Sequence, residues 1–217
     1  MSKANPVASG HALWAKMPKA NAELFALTYG SLVTELVRDY DENPEEINAQ
    51  LDRIGYSIGV RCVDEFLAKA QQSGIAVPPC TNMRDTAEIV AKIGFRMFLG
   101  ITVEVTNLSP DGRAFSLILY DNPLAIFVEL PVSPNATKDD GDNAATNKPA
   151  SDSSSDLSKL KYSNVFCGVI RGALEQVNLK VECEFVKDVL QGEEVNEIRV
   201  ELKEVMADGA GDDYKDE

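Results

Sequence analysis

The chain holds a single histidine, His11, and its four cysteines, Cys62, Cys80, Cys167 and Cys183, never fall into a CxxC pair. The first scarcity removes haem ligation and a cysteine–histidine nucleophile of the peptidase kind, since His11 lies in an irregular N-terminal stretch. The second removes a zinc site of the usual spacing, and no metal is expected. Basic residues are short as well, 21 against 35 acids, for a formal charge of −14. Such a charge repels phosphate backbones and anionic headgroups, so nucleic acid is not an expected partner and membrane contact is expected to be peripheral. No apolar run reaches the length of a bilayer span. The N-terminal stretch lacks the apolar core of a signal peptide and the arginines of a transit peptide, so the expected compartment is the cytoplasm, with reduced cysteines. There the sequons at Asn107 and Asn135 carry no meaning. The closing Lys-Asp-Glu lacks the leucine of a retrieval signal.

What remains is a chain of 217 residues, 44% hydrophobic, enough for one domain with a real core. Residues 1–20 show no steady period and read as a flexible arm. Asn21 reads as the cap of a first helix over 21–40, with Phe25, Tyr29, Leu32, Leu36 and Tyr40 at three- and four-residue steps. Asn43, Pro44 and Glu46 open a second, which keeps Ile47, Leu51, Ile54 and Ile58 on one stripe until Gly74. A third runs over 83–99, with Asp85, Glu88, Lys92 and Arg96 on one narrow polar stripe. The period then drops to two: Ile101, Val103 and Val105, a turn at Pro110-Asp111-Gly112, and Phe115, Leu117 and Leu119 form a hairpin.

Residues 134–159 carry five Asp, three Lys and no aromatic, the composition of a disordered surface insertion. A fourth helix over 162–179, nearly free of charge apart from Arg171 and Glu175, reads as a core helix. Val181, Cys183 and Phe185, and then Ile198, Val200 and Leu202, make a second hairpin. The expected fold is α+β, four main helices packed on a four-stranded antiparallel sheet in the order αααββαββ, as one domain over 21–206. An acidic tail, 207–217, follows.

Two features of the helices point toward chemistry. Cys80 stands on a proline-stiffened loop, "VPPC", at the mouth of the third helix, where a helix dipole would favour its thiolate. Beyond it Ala87, Ala91 and Gly94 lie at i, i+4 and i+7, a row of minimal side chains on one face. Gly55 and Gly59 on the second helix and Gly168 and Gly172 on the fourth repeat the four-residue spacing. Such rows ordinarily serve close helix packing; the sharper reading is a narrow apolar channel entered at Cys80. An acyl chain of about fifteen carbons buried there, at ~0.8 kcal/mol per methylene, would supply on the order of 10 kcal/mol before ordering costs. A noncovalent lipid or small-ligand sensor is the alternative from the same groove. A cysteine-dependent acyltransferase would need a base near Cys80 that the sequence does not offer.

In order along the chain, "NAELFALTYGSLVTEL", "INAQLDRIGYSIGVRCVDEFLAK", "CTNMRDTAEIVAKIGFRMFLGIT", "DNPLAIFVELP", "YSNVFCGVIRGALEQV" and "EFVKDVLQGEEVNEIRVEL" resemble consecutive blocks of the Bet-three family of subunits of TRAPP, the transport protein particle. The resemblance covers about residues 21–205 and skips only the insertion. It implies an α/β plait with helices on one side of an antiparallel sheet. It also implies a non-catalytic core subunit of a complex that tethers vesicles and promotes nucleotide exchange on a Rab GTPase, between endoplasmic reticulum and cis-Golgi. By the same resemblance Cys80 is the S-acylation position, bearing a palmitoyl group, and Gly94 lines its channel. The helices at 21–40 and 43–74 would pair with a related subunit, with a homodimer in isolation as the alternative. The end of the tail, Glu217, would approach the GTPase. Pro79 departs from the basic or small residue expected before the cysteine.

Overall fold

The computed structural model describes residues 5–131 and 157–206. The tail, with Glu217, and all of the expected insertion before Leu157 lie outside the described residues. Each long helix starts where a side chain can satisfy its free N–H groups. Asn21 accepts from Leu24 N at 2.7 Å ahead of α2 (Ala22–Asp39), and Asn43 accepts from Glu45 N at 3.1 Å ahead of α3 (Pro44–Ser73). Gly74 ends α3 in the left-handed conformation, φ +63°, which costs glycine nothing.

The arm expected over the first twenty residues instead contains a helix, α1 (Pro6–Lys16), with Leu13 fully buried. Its start is the same Asn-Pro device as at Asn43: Asn5 accepts from Val7 N at 3.0 Å and Pro6 takes the first turn.

The third expected helix is one rod in three parts, α4 (Met83–Ile89), a π-helical turn (Val90–Gly94) and α5 (Phe95–Leu99). The rod separates two apolar clusters. Met83, Ala87, Ala91 and Phe95 face the main core, whereas Ile89, Ile93 and Met97 meet Leu13 of α1 and Ala70 of α3. This double burial explains why the rod is apolar nearly all round.

The sheet is β1 (Glu104–Thr106), β2 (Ala114–Leu119), β3 (Leu179–Lys187) and β4 (Asn196–Val205), in the order β1-β2-β4-β3 and antiparallel throughout. Pairing of β2 with β4, Phe115 opposite Val200 and Leu117 opposite Ile198, joins the two hairpins into one surface. The helix α6 (Val165–Glu175) is shorter than the expected span because Leu179 already belongs to β3. It lies between the sheet and α3, and the α3–α6 seam is drawn tight by glycine. A Cβ on Gly168 would stand 2.0 Å from the Asp52 carbonyl oxygen, and one on Gly55 2.1 Å from that of Val165. Gly59 and Gly172 are pressed as closely, so these four glycines serve backbone contact. Arg171 pairs across the seam with Asp52 instead of along its own helix with Glu175, and its guanidinium lies 4.7 Å from the Tyr56 ring centroid.

Candidate functional site at the mouth of the rod

Residues 74–82 lead from the end of α3 to the start of the rod, and Cys80 stands on this loop three residues before Met83. Asn82 caps α4 by accepting from Asp85 N at 2.9 Å. Asp85 answers by accepting from Asn82 Nδ2 at 3.2 Å and from the Thr81 hydroxyl and amide. The loop is therefore pinned to the first turn immediately beside the thiol.

Cys80 is the exposed one of the four thiols; Cys62 and Cys183 are half-buried and Cys167 is buried. Its pKa is raised, contrary to the sequence-based expectation of a helix-stabilised thiolate. Crowding of the sulfur is the largest cause. A hydrogen bond from Thr86 works in the opposite direction, and the Asp85 carboxylate adds to the rise. Beyond that burial the reason is local: the Asp85 amide, which could favour an anion, is taken by Asn82, and the Asp85 carboxylate, turned back onto Thr81, brings a negative charge of its own.

The row behind the thiol is uneven. Ala87 and Ala91 are completely covered within the main core, so a chain passing them must displace the side chains that now touch them. Met83, one turn earlier on that face, is the most deformable of the neighbours along the rod. Gly94 differs from every seam glycine. The nearest atom to a Cβ placed there, its own turn aside, is Ile89 O of the same rod, at 3.8 Å, which is ordinary contact with room beyond. It closes the π-helical turn, a distortion that recurs at functional positions in helices. Phe95, next along, meets Phe166 of α6 edge-on with ring centroids 5.8 Å apart.

The polar stripe on the rod is used internally. Lys92 donates to Val103 O at 2.7 Å and Arg96 to Gly100 O, tying the rod to the segment that enters β1. A separate open cleft of about 540 Å³ lies between α3, α6 and β3, and neither Cys80 nor the small-residue row lines it. Its cations are already engaged, Arg171 with Asp52, Lys203 with Glu182 at 2.6 Å and Lys180 with Glu204 at 3.9 Å. Among the described residues no helix is long and apolar enough to cross a membrane, and no cluster of His, Cys, Asp or Glu is set to hold a metal.

Apolar side chains of both long helices reach the surface without cover from the described residues. Leu24, Phe25, Leu27 and Leu32 of α2 and Ile58 and Leu67 of α3 are exposed, Leu24 by 65%. The residues at 21–40 that recur at helical spacing therefore divide. Tyr29 is buried, its hydroxyl donating to Tyr162 O at 2.5 Å, whereas Phe25 and Leu32 point outward.

Helices laid against a four-stranded antiparallel sheet, with an exposed thiol at a helix mouth, define the class, an α+β domain that presents long helices at its surface. Comparison with known proteins gives that class a family. The family profile described as "Transport protein particle (TRAPP) component" matches residues 25–201, and the chain belongs to this family. "Transport protein particle subunit bet3" of Schizosaccharomyces pombe is 43% identical over 197 residues, 91% of this chain and 92% of the relative. "Trafficking protein particle complex subunit 3" of Dictyostelium discoideum is 43% identical over 199 residues, 92% of each. A crystal structure of a trafficking protein particle complex subunit 3 from Naegleria fowleri, covalently bound to palmitic acid, superposes with a TM-score of 0.69 at 44% identity and covers 86% of this chain and 98% of that one.

Proposed function

We propose that this chain is a non-catalytic core subunit of a TRAPP assembly, S-acylated on Cys80, with the palmitoyl chain running along the rod past Ala87 and Ala91 to Gly94. The observation that carries the reading is the contrast in room. Gly94, half-buried, alone among the helical glycines has space where a side chain would stand, and it lies on the rod whose mouth presents the exposed thiol. The covalent palmitic acid in the Naegleria relative supports the choice of an acyl group over a noncovalent lipid.

Other TRAPP subunits are the partners that family membership implies, and the exposed apolar side chains of α2 and α3 are where a related subunit would dock. In this reading the assembly tethers vesicles and promotes nucleotide exchange on a Rab GTPase between endoplasmic reticulum and cis-Golgi. The chain contributes architecture and a buried acyl group that is too enclosed to anchor a membrane. Glu217 remains the candidate contact to the GTPase.

The test is the intact mass of the full chain purified from eukaryotic cells. A palmitoyl increment that hydroxylamine removes, and that Cys80→Ser abolishes, is the expected result. An unmodified mass, or an increment that survives Cys80→Ser, refutes the acyl assignment.

A further inference from the structure

Helix α1 is held by contacts that converge on the two segments flanking the thiol. Ser9, itself buried, donates its hydroxyl to Ala76 O at 2.9 Å, in the loop that carries Cys80. Leu13 is buried with Ile89, Ile93 and Met97 of the rod, and Ile75 and Val77 of the same loop pack on that cluster. Gly10 lies on the π-helical turn so closely that a Cβ would stand 2.1 Å from Lys92 O. Lys16 donates to Ser73 O at 2.8 Å, where a cation also meets the negative end of the α3 dipole. The Trp14 ring covers Gly100, which ends the rod at φ +73°, and Lys19 Nζ lies 3.6 Å over that ring. One helix thus grips the loop ahead of the thiol and the rod behind it.

We propose that α1 is a clamp that positions Cys80: docked, it holds the 74–82 loop against the rod; undocked, loop and thiol swing free of the rod mouth. Ser9 and Gly10 in mid-helix lower the intrinsic propensity of so short a segment, so the helix forms because it docks, and folding of α1 and seating of the loop are one local equilibrium. The proposal deepens the acylation reading, since a clamp on this loop also governs how well an acyl chain on Cys80 is sheltered. Its effect on the bare thiol is independent of that reading.

The experiment uses the full chain with Ser9→Ala, Ser9→Thr or Gly10→Val, and follows amide hydrogen exchange across residues 6–16 and 74–82 by peptide mass. Ser9→Ala should speed exchange in both segments about two- to tenfold, the size of one hydrogen bond lost from the docked state, while Ser9→Thr keeps the native rate. Gly10→Val should speed it at least as much. Buried Cys167 must stay unlabelled by iodoacetamide, which separates local release from global unfolding. Where Gly10→Val does not fold, the Ser9 pair decides. An unchanged exchange rate over 74–82 in Ser9→Ala overturns the clamp. In acylated protein the same variants should lose the acyl group to hydroxylamine faster by a similar factor, and retention at the native rate counts against the clamp. Absence of any acyl group overturns the acylation reading alone and leaves the clamp to the exchange result.

Discussion

The seam between α3 and α6 and the rod 83–99 use the same small residues to opposite ends. At the seam, glycine from each helix lets two backbones touch, with carbonyl oxygens 2.0 to 2.3 Å from where four Cβ atoms would stand. On the rod, Gly94 leaves that position open. Spacing cannot separate the two, because both repeat at three or four residues. What separates them is the facing element: the seam glycines meet the backbone of another helix, and Gly94 meets only a carbonyl of its own rod, Ile89 O at 3.8 Å. Close packing fixes the scaffold, and the room at Gly94 is where the proposed acyl chain would be admitted.

The sharpest way to break that contrast is to add side chains on both sides of it. Gly168→Val should be the most damaging change. Its methyl groups meet the Asp52 backbone, which cannot move without opening the α3–α6 seam, and a loss of about 3 kcal/mol or more is expected in denaturant unfolding. A loss under about 1 kcal/mol would mean the seam is soft. Arg171→Ala tests the same seam through charge. It leaves Asp52 without its partner and strips the cation from Tyr56, but both ionic side chains are about one-third exposed, 34% and 30%. The expected cost is therefore about 1–2 kcal/mol, below that of a fully buried pair.

Much of this architecture is legible before any coordinates. Asn21 and Asn43 cap where they should, Gly74 stops α3, the rod spans 83–99, and the first hairpin turns at the expected Gly112. The α1 helix is not legible from periodicity, since "PVASGHALWAK" buries only Ser9, Gly10 and Leu13, too few positions for a stripe. Its signal was the Asn5-Pro6 pair, the same cap that identifies α3. The raised pKa of Cys80 escaped for another reason. A helix dipole can be inferred from sequence, whereas Asp85 folding back beside the thiol is a matter of side-chain placement. Nor can spacing reveal the π-helical turn at Val90–Gly94. Of the candidate site, Cys80, Ala87, Ala91 and Gly94 do fall along one loop and rod, and Glu217 lies outside the described residues.

On the rod the corresponding change should be nearly silent for stability. Gly94→Leu replaces a poor helix former by a good one where there is room, so unfolding free energy should stay within about 1 kcal/mol of the native chain. Its effect belongs to the acyl group instead. The leucine fills the place a fatty chain would take, and intact mass from eukaryotic expression should show Cys80 unmodified. If the variant unfolds as Gly168→Val does, the two small-residue rows are alike after all; if it keeps a protected acyl group, the chain follows another face.

The smallest effect is one of pH, and it compares two thiols in the same terms. Burial pushes Cys167 up to about 12, so its thiolate is scarce at any pH the fold survives. Cys80 is raised by crowding and by Asp85 but relieved by Thr86, and its residue is exposed. Alkylation needs the thiolate, so the Cys80 rate should climb with pH and reach its midpoint above the ordinary thiol value. Asp85→Asn removes the opposing charge and should shift that midpoint down, whereas Thr86→Val removes the favourable hydrogen bond and should shift it up. The sign for folding follows: a thiol whose native pKa is raised holds its proton better when folded, so its contribution is present below the unfolded pKa and fades as pH rises through the native one. A Cys80 midpoint below the ordinary thiol value in the native chain would restore the helix dipole as the controlling field and remove Asp85 from the account.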